Sequence, residues 1–94
     1  MNANVVRSSG NVFIDLGYSS EDAAILQMRA DLMADLWKFI KAKRLTQARA
    51  AEILGVSQSR ISDLIRGKWE RFSLEMLITL ATRAGMRVTL KKAA

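Results

Sequence analysis

Between Glu21 and Lys43 apolar residues recur every third or fourth position in two adjacent stripes, Ile25, Met28, Leu32, Leu36 and Phe39 beside Leu26, Met33, Trp37 and Ile40. That is the spacing of one side of an α-helix. The spacing predicts a helix capped by Ser19 or Ser20, with Glu21 and Asp22 in its first turn where acidic groups complement the helix dipole. Running to Lys41 or Lys43, such a helix is a rod of roughly 30 Å. Its two stripes are broader than a surface helix needs. One is expected to pack on the elements that follow, and the other on the segment before it, on the last helix or on another subunit.

From Leu45 to Lys68 the rhythm shortens into two amphipathic helices joined by a tight turn. Thr46 can cap the first, whose apolar face is Ala48, Ala51, Ile53 and Leu54. Gly55 stops it, because a residue without a Cβ adopts the left-handed conformation after a helix end at little cost. Ser57 caps the second, which turns Ile61, Leu64 and Ile65 inward and Gln58, Ser59, Arg60, Ser62 and Asp63 outward. Gly67 ends that helix, and Trp69 and Phe72 are apolar anchors for the loop after it; a tryptophan stacked on bases is the alternative reading. Ser73 caps a further helix, Leu74 to Ala84, ended by Gly85. Then the period changes from 3.6 to 2, with Met86, Val88 and Leu90 on one face and Arg87, Thr89 and Lys91 on the other, which predicts a strand. Its backbone groups need a partner, either residues near Val12 or the same strand of a second subunit. Pairing across a two-fold axis predicts a homodimer with Met86, Val88 and Leu90 at its interface.

The start of the chain is different. Residues 1–10 are small and polar without a period and are expected to form a frayed arm. Val12, Phe13, Ile14, Leu16 and Tyr18 form an apolar cluster ahead of any predicted helix. It reads either as a flap folded back on the core or as a protein-binding surface.

Composition narrows the chemistry. The 94 residues suit one domain, and 50% of them are apolar, enough for a small core. Cysteine and histidine are absent, which removes disulfides, the usual zinc ligands and histidine acid–base chemistry. Without a glycine-rich phosphate loop or clustered carboxylates, no enzyme, metal site or cofactor is expected. No apolar run is long enough for a signal peptide or membrane span, and a soluble cytoplasmic protein is expected.

The net charge of +6 is unevenly spread. Residues 1–37 carry net −3, whereas residues 38–71 carry net +6 and the remainder +3. Positive charge therefore peaks over and beside the two short helices, where a polyanion would lie.

The order of cap, small residue, glycine, cap and buried pair is that of a helix-turn-helix. Thr46-Gln47-Ala48, Ala51, Leu54-Gly55-Val56-Ser57-Gln58, Arg60-Ile61-Ser62, Leu64 and Gly67-Lys68 resemble the Cro/phage-repressor family, also called the XRE family. The resemblance implies an all-α, five-helix Cro/repressor-like DNA-binding domain with a long first helix, to which the terminal alternation adds a C-terminal β-strand. The expected division is an N-terminal arm and apolar flap over 1–20, a helix-turn-helix domain over 21–85 with its motif at 46–66, and a strand and tail over 86–94. Asn11 to Tyr18, with its asparagine, apolar pair, acid and Leu-Gly-aromatic, also resembles a segment of the HigA-type, antitoxin-like subgroup, encoded beside small toxins that cleave RNA.

A helix-turn-helix lays its second helix in the major groove with the residues near its N-terminus on base edges. Here these are Gln58, Ser59, Ser62 and Asp63. Gln58 has the geometry for a bidentate pair with adenine, and Asp63 either accepts from cytosine or braces Arg60 or Arg66. Gln47 at the start of the first motif helix belongs at the backbone, and with it Lys43, Arg44, Arg60, Arg66 and Lys68 are the expected phosphate contacts. The family often carries proline where this chain has Ser59, which gives the helix an added donor. The expected function is a sequence-specific double-stranded DNA-binding regulator, a dimeric repressor reading a near-palindromic operator through the helix 57–66. The alternative is an antitoxin that blocks a small RNA-cleaving toxin and regulates its own operon.

Overall fold

The computed structural model describes residues 11–90 and 92; the expected arm over residues 1–10, and Lys91 of the expected strand, lie outside them. Among the described residues are α1 (Val12–Asp15), α2 (Ser20–Ala42), α3 (Gln47–Leu54), α4 (Gln58–Ile65), a 3₁₀ turn (Trp69–Arg71) and α5 (Leu74–Arg83). Each α-helix starts at a short polar side chain that accepts the backbone donors a first turn leaves open. Ser19, Thr46 and Ser73 each accept the N–H three residues on at 3.1 Å, and Ser57 does so at 3.2 Å. Asn11 does the same for α1, accepting from Phe13 N at 2.9 Å, and its amide also donates to the Ala23 carbonyl of α2 at 3.0 Å.

Four helices end alike, α1 (at Gly17), α2, α4 and α5, with paired hydrogen bonds back into the last turn and a residue of positive φ between them. After α4, Gly67 N donates to Leu64 O at 3.1 Å and Lys68 N to Asp63 O at 3.0 Å; after α5, Gly85 N donates to Thr82 O at 3.0 Å and Met86 N to Ala81 O at 2.9 Å. After α2, Arg44 N donates to Lys41 O at 3.1 Å and Leu45 N to Ile40 O at 3.0 Å. There the left-handed position is held by Arg44, at φ 52°, the one non-glycine residue in that region among those described.

The core lies between α2, α5 and the pair α3–α4. Leu36, Ala50, Leu54 and Leu77 are wholly buried, and Ile61, Leu64, Phe72 and Leu80 nearly so. The buried seam of α2 is Ala23, Leu26, Met33, Leu36 and Ile40, which crosses the two stripes read from the sequence. Ile25 and Met28, of the first stripe, stand 41% and 40% exposed, and Trp37 of the second is 37% exposed. In α3 the inward residue is Ala50, while Ala48 is exposed, because Ala50, Ala51 and Leu54 share the buried side of a helix that packs on α4 and α5.

The apolar cluster before α2 does not stay irregular. Val12–Asp15 makes one helical turn, and Phe13 alone of its apolar residues is buried, against Ala23, Leu26 and the indole of Trp69. The Phe13 and Trp69 rings meet edge to face, with centroids 5.9 Å apart. So the flap docks through the Phe13 ring and the Asn11 amide, leaving Val12, Ile14, Leu16 and Tyr18 exposed.

The C-terminal strand expected over Met86 to Lys91 is not formed; no strand occurs among the described residues. Its alternation is real, but a ladder needs a neighbour, and the residues near Val12 that could have supplied one are helical. Met86 packs on the core instead, and Val88 and Leu90 lie along a groove with Met28, Leu32, Leu74 and Ile78.

Holding a side chain with a Cβ in the left-handed region costs about 1 kcal/mol or more. Replacing Arg44 by glycine is expected to raise stability by roughly 0.5–1 kcal/mol in urea unfolding, the relief outweighing the added freedom of the unfolded chain.

Candidate nucleic-acid interface

The pair α3–α4 is set by the residue between them. Gly55 stands at φ 69°, and the N–H of Val56 reaches back to Ala51 O at 3.0 Å, so the chain reverses without a gap. The Leu54 carbonyl at this reversal accepts from Arg83 of α5 at 2.8 Å. A Cβ on Gly55 would stand 3.0 Å from the Arg83 guanidinium nitrogen, a tight contact that this flexible side chain would have to yield to, so the left-handed φ is what reserves the position for glycine.

Gln58 and Ser59 are exposed in the first turn of α4, and the Ser59 hydroxyl lies 3.1 Å from that of the capping Ser57. Ser62, one turn on, is half-buried. Gln47 is exposed in the first turn of α3, whose opening N–H groups face outward as helix N-termini do towards phosphate. Lys43 and Arg44 follow α2 directly and are exposed; Arg66 is exposed at the end of α4, and Lys68 is half-buried in the next turn. The expected base and phosphate contacts of this set thus sit on or beside the two motif helices.

Asp63 and Arg60 are differently placed from that set. Asp63 is 18% exposed and its carboxylate lies 3.5 Å from the guanidinium of Arg71. It is braced, as one of its two readings had it, but by Arg71 rather than by Arg60 or Arg66. Arg60 donates to the Arg71 carbonyl at 2.8 Å, and its guanidinium carbon lies 5.3 Å from the centre of the buried Phe72 ring. That distance is within the range of cation–π attraction. Arg60 therefore fastens α4 to the turn after it. Phe72 is buried and Trp69 half-buried against Phe13, so both aromatics of that turn are structural anchors.

Three residues in this frame are not singled out by the sequence pattern. Arg83 lies 29 positions from the carbonyl it caps, and Arg71 lies eight from Asp63 beyond the end of α4, where the helical period no longer applies. Asn11 enters only as part of the resemblance over 11–18, neither as the cap of α1 nor as a donor to α2.

Comparison with known proteins agrees with this geometry. A family described as a helix-turn-helix domain matches residues 12–91. A solved structure of a protein assigned to the XRE family of transcriptional regulators superposes with a TM-score of 0.72 at 36% identity, covering 78% of this chain and 82% of that one. No curated protein matches the chain.

Removing the Arg60 tie tests the frame. Arg60→Met is expected to cost about 1–2 kcal/mol in urea unfolding, since it abandons a charged hydrogen bond and a ring contact. Arg66→Met, at an exposed position without such contacts, should stay within about 0.5 kcal/mol of the parent. Equal losses for the two would show that Arg60 holds nothing.

Proposed function

This chain belongs to the helix-turn-helix domain family, as an XRE-type regulator, and on that basis we propose that it is a dimeric repressor reading a near-palindromic operator. The observation that carries the reading is the exposure of Gln58 and Ser59 at the start of an α4 that is anchored along its other sides. With α4 in the major groove, the Gln58 amide pairs with an adenine N6 and N7, and Ser59 and Ser62 accept or donate to neighbouring edges. Gln47, Lys43, Arg44, Arg66 and Lys68 meet phosphate and set register, while Arg60 acts on α4 from within.

An eight-residue helix spans roughly 12 Å and touches few base pairs. Two copies on half-sites one helical turn apart about double the readout, and a homodimer is therefore part of the proposal. Val88, 38% exposed, and Leu90, 69% exposed, supply apolar surface for the contact, with Met86 holding the segment to the core. Burial of these side chains against a second copy replaces the strand ladder as the means of association. Acting by occupancy, the protein needs no cofactor and catalyses nothing.

A second reading is favoured by one observation. Val12, Ile14, Leu16 and Tyr18 remain 40–69% exposed on a segment fixed by the Asn11 cap and by Phe13. A preformed apolar knob of this kind suits a protein partner, and in the HigA-type reading that partner is an RNA-cleaving toxin. Copurification of a small protein encoded beside this one, lost in Leu16→Asp, would support it.

The DNA reading is tested by fluorescence anisotropy with the DNA upstream of the protein's own gene. Expected is tight binding that falls steeply with salt, and a Gln58→Ala, Ser59→Ala double variant that keeps the salt dependence but loses preference for that DNA over a scrambled duplex. Binding that is weak and indifferent to sequence would overturn the free-standing repressor.

A further inference from the structure

A carboxylate on a helix that enters a groove between two phosphate chains opposes binding, and Asp63 is such a group. Its partner is equally telling. The Arg71 guanidinium approaches it at 3.5 Å, longer than the 2.7–2.9 Å of a close charge-assisted hydrogen bond, and the Arg71 side chain stays 56% exposed. The backbone of Arg71 is held firmly: its N–H donates to Lys68 O at 3.0 Å and its carbonyl accepts from Arg60 at 2.8 Å. The base of the side chain is thus fixed beside α4, while its charged end is loosely engaged and open to water. The carboxylate is partly buried, but a pair this long and open to water on its arginine side gains little, which leaves the guanidinium available to a second anion. Arg71 also lies in the same turn as Lys68, just past Arg66, where the chain leaves α4 at the edge of the reading surface.

We infer that Arg71 is a further phosphate-binding residue and that Asp63 holds it in check, so that the pair limits the sequence-independent part of DNA binding. The inference rests on the DNA-binding reading above. In the free protein the two charges cancel locally. On DNA, a phosphate oxygen competes with the Asp63 carboxylate for one guanidinium, and each contact won releases a counterion. Asp63 is accordingly a positioning residue: it acts on DNA through Arg71 and reads no base.

The test compares the full chain, Asp63→Asn, Arg71→Gln, the double variant and Arg71→Lys on two duplexes, the upstream DNA and a scrambled sequence, across a salt series. Asp63→Asn is expected to tighten binding to both duplexes by roughly three- to tenfold at low salt and to steepen the slope of log K against log salt by about 0.9, one phosphate contact. With Gln at position 71 the same Asp63→Asn change should leave the slope unaltered, whereas Arg71→Lys should preserve most of the steepening, because charge rather than fork geometry is what the residue supplies. A steepening that persists with Gln at position 71 would mean that Asp63 repels DNA by itself, and a change of preference at one base pair would make it a reader; either overturns the inference. Parental protein that binds upstream DNA, with Asp63→Asn no different from it, overturns the inference alone. Parental protein that binds neither duplex overturns the DNA-binding reading and the inference with it. Melting each variant first keeps folding out of the comparison, and Arg71, more than half exposed, is replaceable without opening the core.

Discussion

Two eight-residue helices can present a rigid surface only if the turn between them has one geometry, and that geometry is enforced at Gly55. Its left-handed φ closes the reversal, and the Arg83 guanidinium lies beside it while bonding the Leu54 carbonyl. The same contact fastens the end of α3 to α5, and α5 packs on α2. The angle between α3 and α4 is thereby referred to the longest helix rather than left to a flexible joint. Ala51 and Leu54 on one side and Ile61 and Leu64 on the other are buried as a consequence. Short helices of this length are marginal alone, so packing against α2 and α5 is what makes them a platform.

The first turn of α4 is held by a polar contact as well as by packing. Arg60 reaches out of the helix to the Arg71 carbonyl and the Phe72 ring, while Asp63 lies in a looser ion pair with the Arg71 guanidinium. Both side chains are polar and stand on what sequence patterning alone makes an outward face. Their engagement divides that face in two. Gln58 and Ser59 are left free to meet a ligand, whereas Arg60 and Asp63 turn towards the protein. A helix held by packing and by the Arg60 contact keeps its orientation while Gln58 and Ser59 remain uncommitted.

The parts of this arrangement that were legible in the sequence are the local ones. A cap and the donor it satisfies are three residues apart, and a helix-ending glycine is adjacent to what it ends, so Thr46, Gly55, Ser57, Gly67, Ser73 and Gly85 announce themselves. The burial of Ile61 and Leu64 follows from the helical period. What could not be read is what depends on distant partners. Alternation at Met86, Val88 and Leu90 has the period of a strand, yet whether a strand forms is decided by a neighbour, and the neighbour became a helix. The seam of α2 was blurred for a related reason: two stripes were apolar, and which positions faced inward was settled by α1, α4 and α5 together. Gln58 and Ser59 are exposed in the first turn of α4, on the outward face the period gave them, but the pairing of Asp63 with Arg71 crosses a glycine turn and leaves no periodic trace.

Charge and strain converge on one further point. Of the four helix ends closed by paired bonds about a residue of positive φ, three use glycine and the fourth, after α2, uses Arg44. Nothing in the packing calls for a guanidinium there: Arg44 is exposed, and glycine closes the same turn after α4 and α5. The strained position does bring a cation between Lys43 and the capped start of α3, three residues before Gln47. That junction has a helix C-terminus behind it, which favours positive charge, and a helix N-terminus ahead of it, which favours an anion. On the proposed function, a phosphate placed there would meet the start of α3 and two positive side chains together. In that reading, an arginine in a glycine's conformation is a cost in folding set against the surface it creates, as strain persists only where surrounding structure over-determines it.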